Sequence, residues 1–136
     1  MRNNFLVLPL LFLIFSCSES VDSKNQLVDF NSSPNEWLLH GRTYAEERHS
    51  PLDQINTSNV DQIGLSWSFE TGTNRGHETT PIVKDGVMFI TAPWSVVHAL
   101  DAKTGDLLWT HDPQVERAWA NNACCDVVNR GVALYE

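Results

Sequence analysis

The chain has 136 residues, enough for one small domain, with 42% hydrophobic and 19% charged residues, an ordinary globular composition. Its formal net charge of −8 excludes a nucleic-acid binder, because phosphates demand a basic footprint. The acidity otherwise reads as a soluble surface.

Met1 and Arg2 give a short positive end, and residues 5–15 form an unbroken apolar run that contains Pro9. That run is too short for ~30 Å of hydrocarbon, which takes about 20 residues, and has the length of a signal-peptide core. Ser16 then stands directly before Cys17. The expectation is an exported chain with a signal peptide over residues 1–16. Residues 17–34 are polar, rich in Ser, Asp and Asn, and read as a tether. The folded part is expected over residues 35–136.

From Asn35 to Asn59 turn residues dominate, and Asn56, Thr57, Ser58 and Asn59 offer N-caps for a brief helical turn at residues 60–63. After Gly64 the texture changes to short strands. Residues 65–70 alternate, with Leu65, Trp67 and Phe69 on one face. Residues 81–83 and 87–91 flank Asp85-Gly86, which supplies the positive φ a tight hairpin needs. Residues 96–100 and 107–110 flank a second turn containing Gly105, where Asp101 and Asp106 are expected to accept turn amides. A further strand is expected over residues 131–135. With no long helical period, the pattern is all-β, a series of antiparallel meanders. A last strand without its partner would leave unpaired edge groups, so the chain is expected to be a piece of a longer protein, unable to fold stably alone.

Other chemistry is excluded by pattern. The five histidines, His40, His49, His77, His98 and His111, lack the paired spacing of a zinc site. Neither a phosphate-cradling glycine loop nor a Gly-x-Ser-x-Gly elbow occurs. Glu46-Glu47 reads as a solvated pair. Cys124 and Cys125 are adjacent, and consecutive Cα atoms ~3.8 Å apart lie closer than the ~4.4–6.8 Å of ordinary disulfides. Read alone, such a pair favours two thiols or bonds to cysteines elsewhere over a small strained ring, which is an uncommon arrangement.

Several segments resemble known families. Leu13-Ile14-Phe15-Ser16-Cys17 resembles a bacterial lipoprotein signal, which implies acylation of Cys17 and a lipid anchor; ordinary signal-peptidase cleavage is the alternative, Phe15 being bulky for that motif. Residues 99–109, with an Ala, an Asp, a Thr-Gly turn and Trp109 at fixed offsets, resemble the tryptophan-docking repeat of quinoprotein β-propellers. Residues 65–72, with Trp67 before a Thr-Gly pair, resemble it more weakly. Residues 123–133 (ACCDVVNRGVA) resemble the cofactor segment of pyrroloquinoline-quinone (PQQ)-dependent alcohol and methanol dehydrogenases.

The resemblance covers about residues 36–136. It implies the N-terminal blades of an eight-bladed propeller, incomplete in this chain. It further implies a Cys124–Cys125 disulfide stacked on the quinone, Arg130 clasping a quinone carboxylate, and Glu78, just before Thr-Thr-Pro, touching the cofactor. In that family calcium polarises the quinone carbonyl, an aspartate takes the alcohol's proton, and electrons leave to a cytochrome c, separate or as a fused haem domain. The calcium ligands and catalytic aspartate are expected beyond this stretch. The implied protein is a periplasmic alcohol dehydrogenase. Docking repeats also occur in a non-enzymatic lipoprotein of the outer-membrane barrel-assembly machinery, so a scaffold is the alternative reading. Cys124, Cys125 and Arg130 favour the enzyme.

Overall fold

The computed structural model describes residues 33–135. The expected signal peptide, Cys17 and nearly all of the tether lie outside the described residues.

Four antiparallel strands form one sheet in chain order: β1 (Ile82–Lys84), β2 (Val87–Thr91), β3 (Val97–Asp101) and β4 (Leu107–His111). The β1–β2 turn forms where Asp-Gly places it. Asp85 and Gly86 both take positive φ, 50° and 76°, and Lys84 pairs with Val87 across them. Two left-handed residues give a turn whose twist matches that of the flanking strands.

The β3–β4 connection is built from its own side chains. The Asp101 carboxylate accepts the backbone N–H groups of Lys103 and Thr104, both at 2.9 Å. Those bonds hold its pKa below the usual aspartate value. Asp106 serves the turn differently from the expectation: its carboxylate accepts the Thr104 hydroxyl at 2.8 Å, not a backbone amide. Gly105 closes the turn at φ 79°, and its N–H donates to the Asp101 carbonyl at 2.8 Å.

β3, one of the two interior strands, has His98, Ala99 and Leu100 all buried. Consecutive strand residues point to opposite faces, so three buried in a row means β3 is covered on both sides. On one face Phe89, Ala99 and Trp109 lie in register, and the small Ala99 lets the Phe89 and Trp109 rings approach to 6.0 Å. β4 is exposed along its length. Trp37 adds an antiparallel bridge to Val83, exchanging two N–H···O bonds of 2.9 Å with the β1 edge.

Residues 65–70 depart from expectation. They form no strand, and Leu65 is 86% exposed. A ladder needs a neighbouring backbone, and none pairs with them among the described residues. Their alternation is nonetheless used. Phe69 meets the buried His98 edge-on at 5.2 Å, and Trp67 lies on Gly105 so closely that a Cβ there would fall 2.5 Å from its ring. The glycine therefore serves the turn and also seats the tryptophan of the preceding segment. Residues 131–135 likewise form no strand among the described residues.

The short helix expected at 60–63 is a 3-10 turn at Val60–Gln62. Asn59 does not cap it. Its side chain braces the loop before it, accepting the Asn56 N–H at 2.8 Å and donating to the Gln54 carbonyl at 2.7 Å.

Candidate cofactor site

Glu78 lies in the irregular stretch leading into β1, and Cys124, Cys125 and Arg130 follow the 3-10 helix Arg117–Asn122. The two stretches are stitched together by backbone groups. Thr80 donates its N–H to the Arg130 carbonyl at 3.1 Å, and the Thr79 hydroxyl accepts the Thr91 N–H at 3.0 Å. The buried Thr91 hydroxyl in turn donates to the Asn129 carbonyl at 3.1 Å. Gly131, at φ 142°, crosses beside the Thr80 carbonyl, where a Cβ would stand 3.3 Å away.

This stitching places the Arg130 guanidinium 3.0 Å from the Glu78 carboxylate. The Arg130 side chain is 71% exposed and that of Glu78 44% exposed, so a pair this open contributes about 0–1 kcal/mol to folding. Its value is as a surface. A guanidinium fork can hold a planar acid, with a carboxylate beside it to orient the fork.

Cys124 and Cys125 are exposed thiols whose sulfurs stand 2.8 Å apart. A disulfide requires about 2.05 Å, so the ring implied by the resemblance is not formed in this structure. The Cys125 thiol is pushed above its ordinary pKa, chiefly by the hydrogen bond and charge of Cys124. Arg130 opposes that rise and Glu78 adds to it, which puts both within electrostatic reach of the sulfur.

All four residues expected at a cofactor site and described here therefore gather in one place. His77, one of the histidines without zinc spacing, meets the Thr71 hydroxyl at 2.8 Å. Sequence reasoning missed the supports: Thr79, Thr91, Asn129, and an ion pair between Arg75 and Asp126. No spacing in the sequence links the last pair; Asp126 sits at φ 68°, a conformation Asp tolerates with or without a partner. Among the described residues no group of three or more His, Cys, Asp or Glu is placed to hold a metal ion.

The glycine turn of this antiparallel sheet seats the tryptophan of the preceding segment, as the resemblance to the quinoprotein β-propeller docking repeat implies. The family model for the PQQ glucose/ethanol/alcohol dehydrogenase β-propeller domain matches residues 37–136. The chain belongs to that family. It is 58% identical over 101 residues to 1-butanol dehydrogenase (cytochrome c) of Thauera butanivorans, which covers 74% of this chain and 15% of that protein. The solved quinohemoprotein alcohol dehydrogenase ADHIIG of Pseudomonas putida superposes with a TM-score of 0.76 at 55% identity, over 78% of this chain and 16% of that one. A europium-containing methanol dehydrogenase superposes with a TM-score of 0.72 at 39% identity, over 79% and 19%. The chain thus spans about 15% of the length of the curated relatives it matches.

Proposed function

We propose that this chain supplies one wall of the quinone site in a PQQ-dependent alcohol dehydrogenase, and that the observation carrying this reading is the meeting of Arg130 and Glu78 beside Cys124 and Cys125. The residues present suit the group. PQQ is flat and bears three carboxylates, and this surface offers an exposed guanidinium, an orienting carboxylate and two adjacent polarizable sulfurs.

When bound, PQQ supplies the carbon that accepts a hydride from the alcohol. Arg130 would bind one of its carboxylates through the fork. Glu78 would hold that fork in plane and present an acceptor to the quinone's own N–H edge. The cysteine pair would close one flat face against water. We propose that in the exported protein these sulfurs are joined, with two protons and two electrons passing to the compartment's disulfide-forming machinery. A fused ring is more rigid than two thiols, and rigidity is what a stacking platform needs.

Calcium, the aspartate that takes the alcohol's proton and the cytochrome or haem acceptor are assigned to the remainder of the protein and its partner. The substrate is a small primary or secondary alcohol. Export to the periplasm with an acylated Cys17 completes the reading, and incorporation of labelled palmitate, abolished in Cys17→Ala, is its test.

The decisive experiment uses the full-length protein. Reconstitution with PQQ and calcium should give alcohol-dependent reduction of an artificial electron acceptor, lost on replacing both Cys124 and Cys125 with Ala. A protein that binds no quinone and reduces no acceptor with any alcohol overturns the reading and leaves the scaffold alternative.

A further inference from the structure

Between the cysteine pair and Arg130 the chain is gripped from outside at successive positions. Asp126 gives its carboxylate to the Arg75 guanidinium. Val127 gives its carbonyl to the Trp94 N–H at 2.9 Å. Asn129 donates its side-chain amide to the Ser95 hydroxyl at 3.0 Å and accepts the Thr91 hydroxyl at its carbonyl. The grip converges on Trp94. Its ring has the Arg75 guanidinium 5.4 Å from its centroid and that of Arg117 at 4.2 Å. Trp94 and Ser95 are themselves held at positive φ, 67° and 59°, a conformation that persists only where surroundings enforce it.

Asp126 is the informative member. Its φ of 68° suits Gly, Asn or Asp alike, so the turn does not require a charge. Only an acid answers Arg75. Both side chains are partly exposed, 46% and 36%, so the pair adds little to global stability. What it can do is set direction, because it seizes the residue immediately after Cys125 and four before Arg130.

We infer that Arg75 and Asp126 are positioning residues, whose ion pair against the Trp94 ring aims the Cys124–Cys125 unit and the Arg130 fork at the quinone. This rests on the quinone reading above. Neither residue touches the cofactor in this assignment; both act through the backbone that carries the groups that do.

The test compares full-length wild type with Arg75→Gln, Asp126→Asn and the double variant. Asn keeps the left-handed turn while removing the charge. Three quantities are read: the PQQ dissociation constant of the apoprotein, the rate at which the cysteine pair reacts (with a phosphine if joined, a maleimide if reduced), and Tm. Each single variant should weaken quinone binding about tenfold, the scale set by losing a supporting partner of a ligand site. Cysteine reactivity should rise in both and Tm should hardly move. The double variant should be no worse than either single one, because the two act as a unit. Unchanged affinity and reactivity in both singles, or effects that multiply in the double, would overturn the assignment. A wild type that takes up no quinone defeats the parent reading instead. The brace is then judged on cysteine reactivity, upheld by matched acceleration in the two variants and refuted by none.

Discussion

Glu78 and Arg130 meet at 3.0 Å although one precedes the first strand of the sheet and the other follows the last. The whole meander has to fold before that carboxylate and guanidinium become neighbours. Their contact is a product of the sheet and of the Thr80–Arg130 backbone bond that docks the two irregular segments.

Arg130 should be worth more than its charge. Arg130→Lys keeps the cation and loses the planar fork, and a hydrogen bond to a charged partner is worth about 1.5–3 kcal/mol. Quinone affinity of the full-length apoprotein should therefore fall roughly tenfold to a hundredfold. Titration with PQQ, followed by tryptophan fluorescence, measures it; an unchanged dissociation constant would remove Arg130 from the site.

The two turn glycines should respond differently to alanine. At Gly86 nothing lies within 4 Å of an added Cβ, so only the positive φ is penalised, about 1–2 kcal/mol. At Gly105 the same backbone cost is joined by collision with the Trp67 ring, for roughly 2–5 kcal/mol together. Urea midpoints of the two variants, made in the full-length protein, should rank in that order, and equal shifts would show that Trp67 does not rest on Gly105.

Stability should fall on acidification partly through His98. Burial, followed by the charge of His77, holds its folded pKa below the usual 6.5. Between the folded value and 6.5 the unfolded chain binds more protons, so stability rises with pH across that window and drops as pH falls through it. Tm of the full-length protein measured from pH 7 downward should show this slope, and His98→Gln should flatten it. A slope that persists unaltered in the variant would place its origin elsewhere.

In the reduced full-length protein Cys125 should alkylate slowly near pH 8. The raised Cys125 pKa lowers its thiolate fraction at a given pH, and Cys124 is the leading cause. Cys124→Ala should move the iodoacetamide rate profile of Cys125 to lower pH. A profile that stays put would mean the two sulfurs do not interact.

Local chemistry was readable because its information lies within a few residues. Asp85-Gly86 specifies a left-handed pair wherever it stands, and the Asp101 carboxylate finds its amides two and three positions on. The strands β1 to β4 follow from short apolar runs bounded by those turns. The site residues Glu78, Cys124, Cys125 and Arg130 were named by resemblance, and their gathering could not be inferred from alternation or turn chemistry.

Contacts between distant segments had no comparable signature. Residues 65–70 have the pattern of a strand, yet the pattern records only which side chains turn inward; pairing depends on a neighbouring backbone. Trp67 on Gly105, Thr91 on Asn129 and Arg75 on Asp126 each join residues far apart in the chain, and no period or spacing links them. Turn geometry is written in short-range sterics and hydrogen bonds. Which groups face the same small volume is decided when the sheet closes and the irregular segments dock against it.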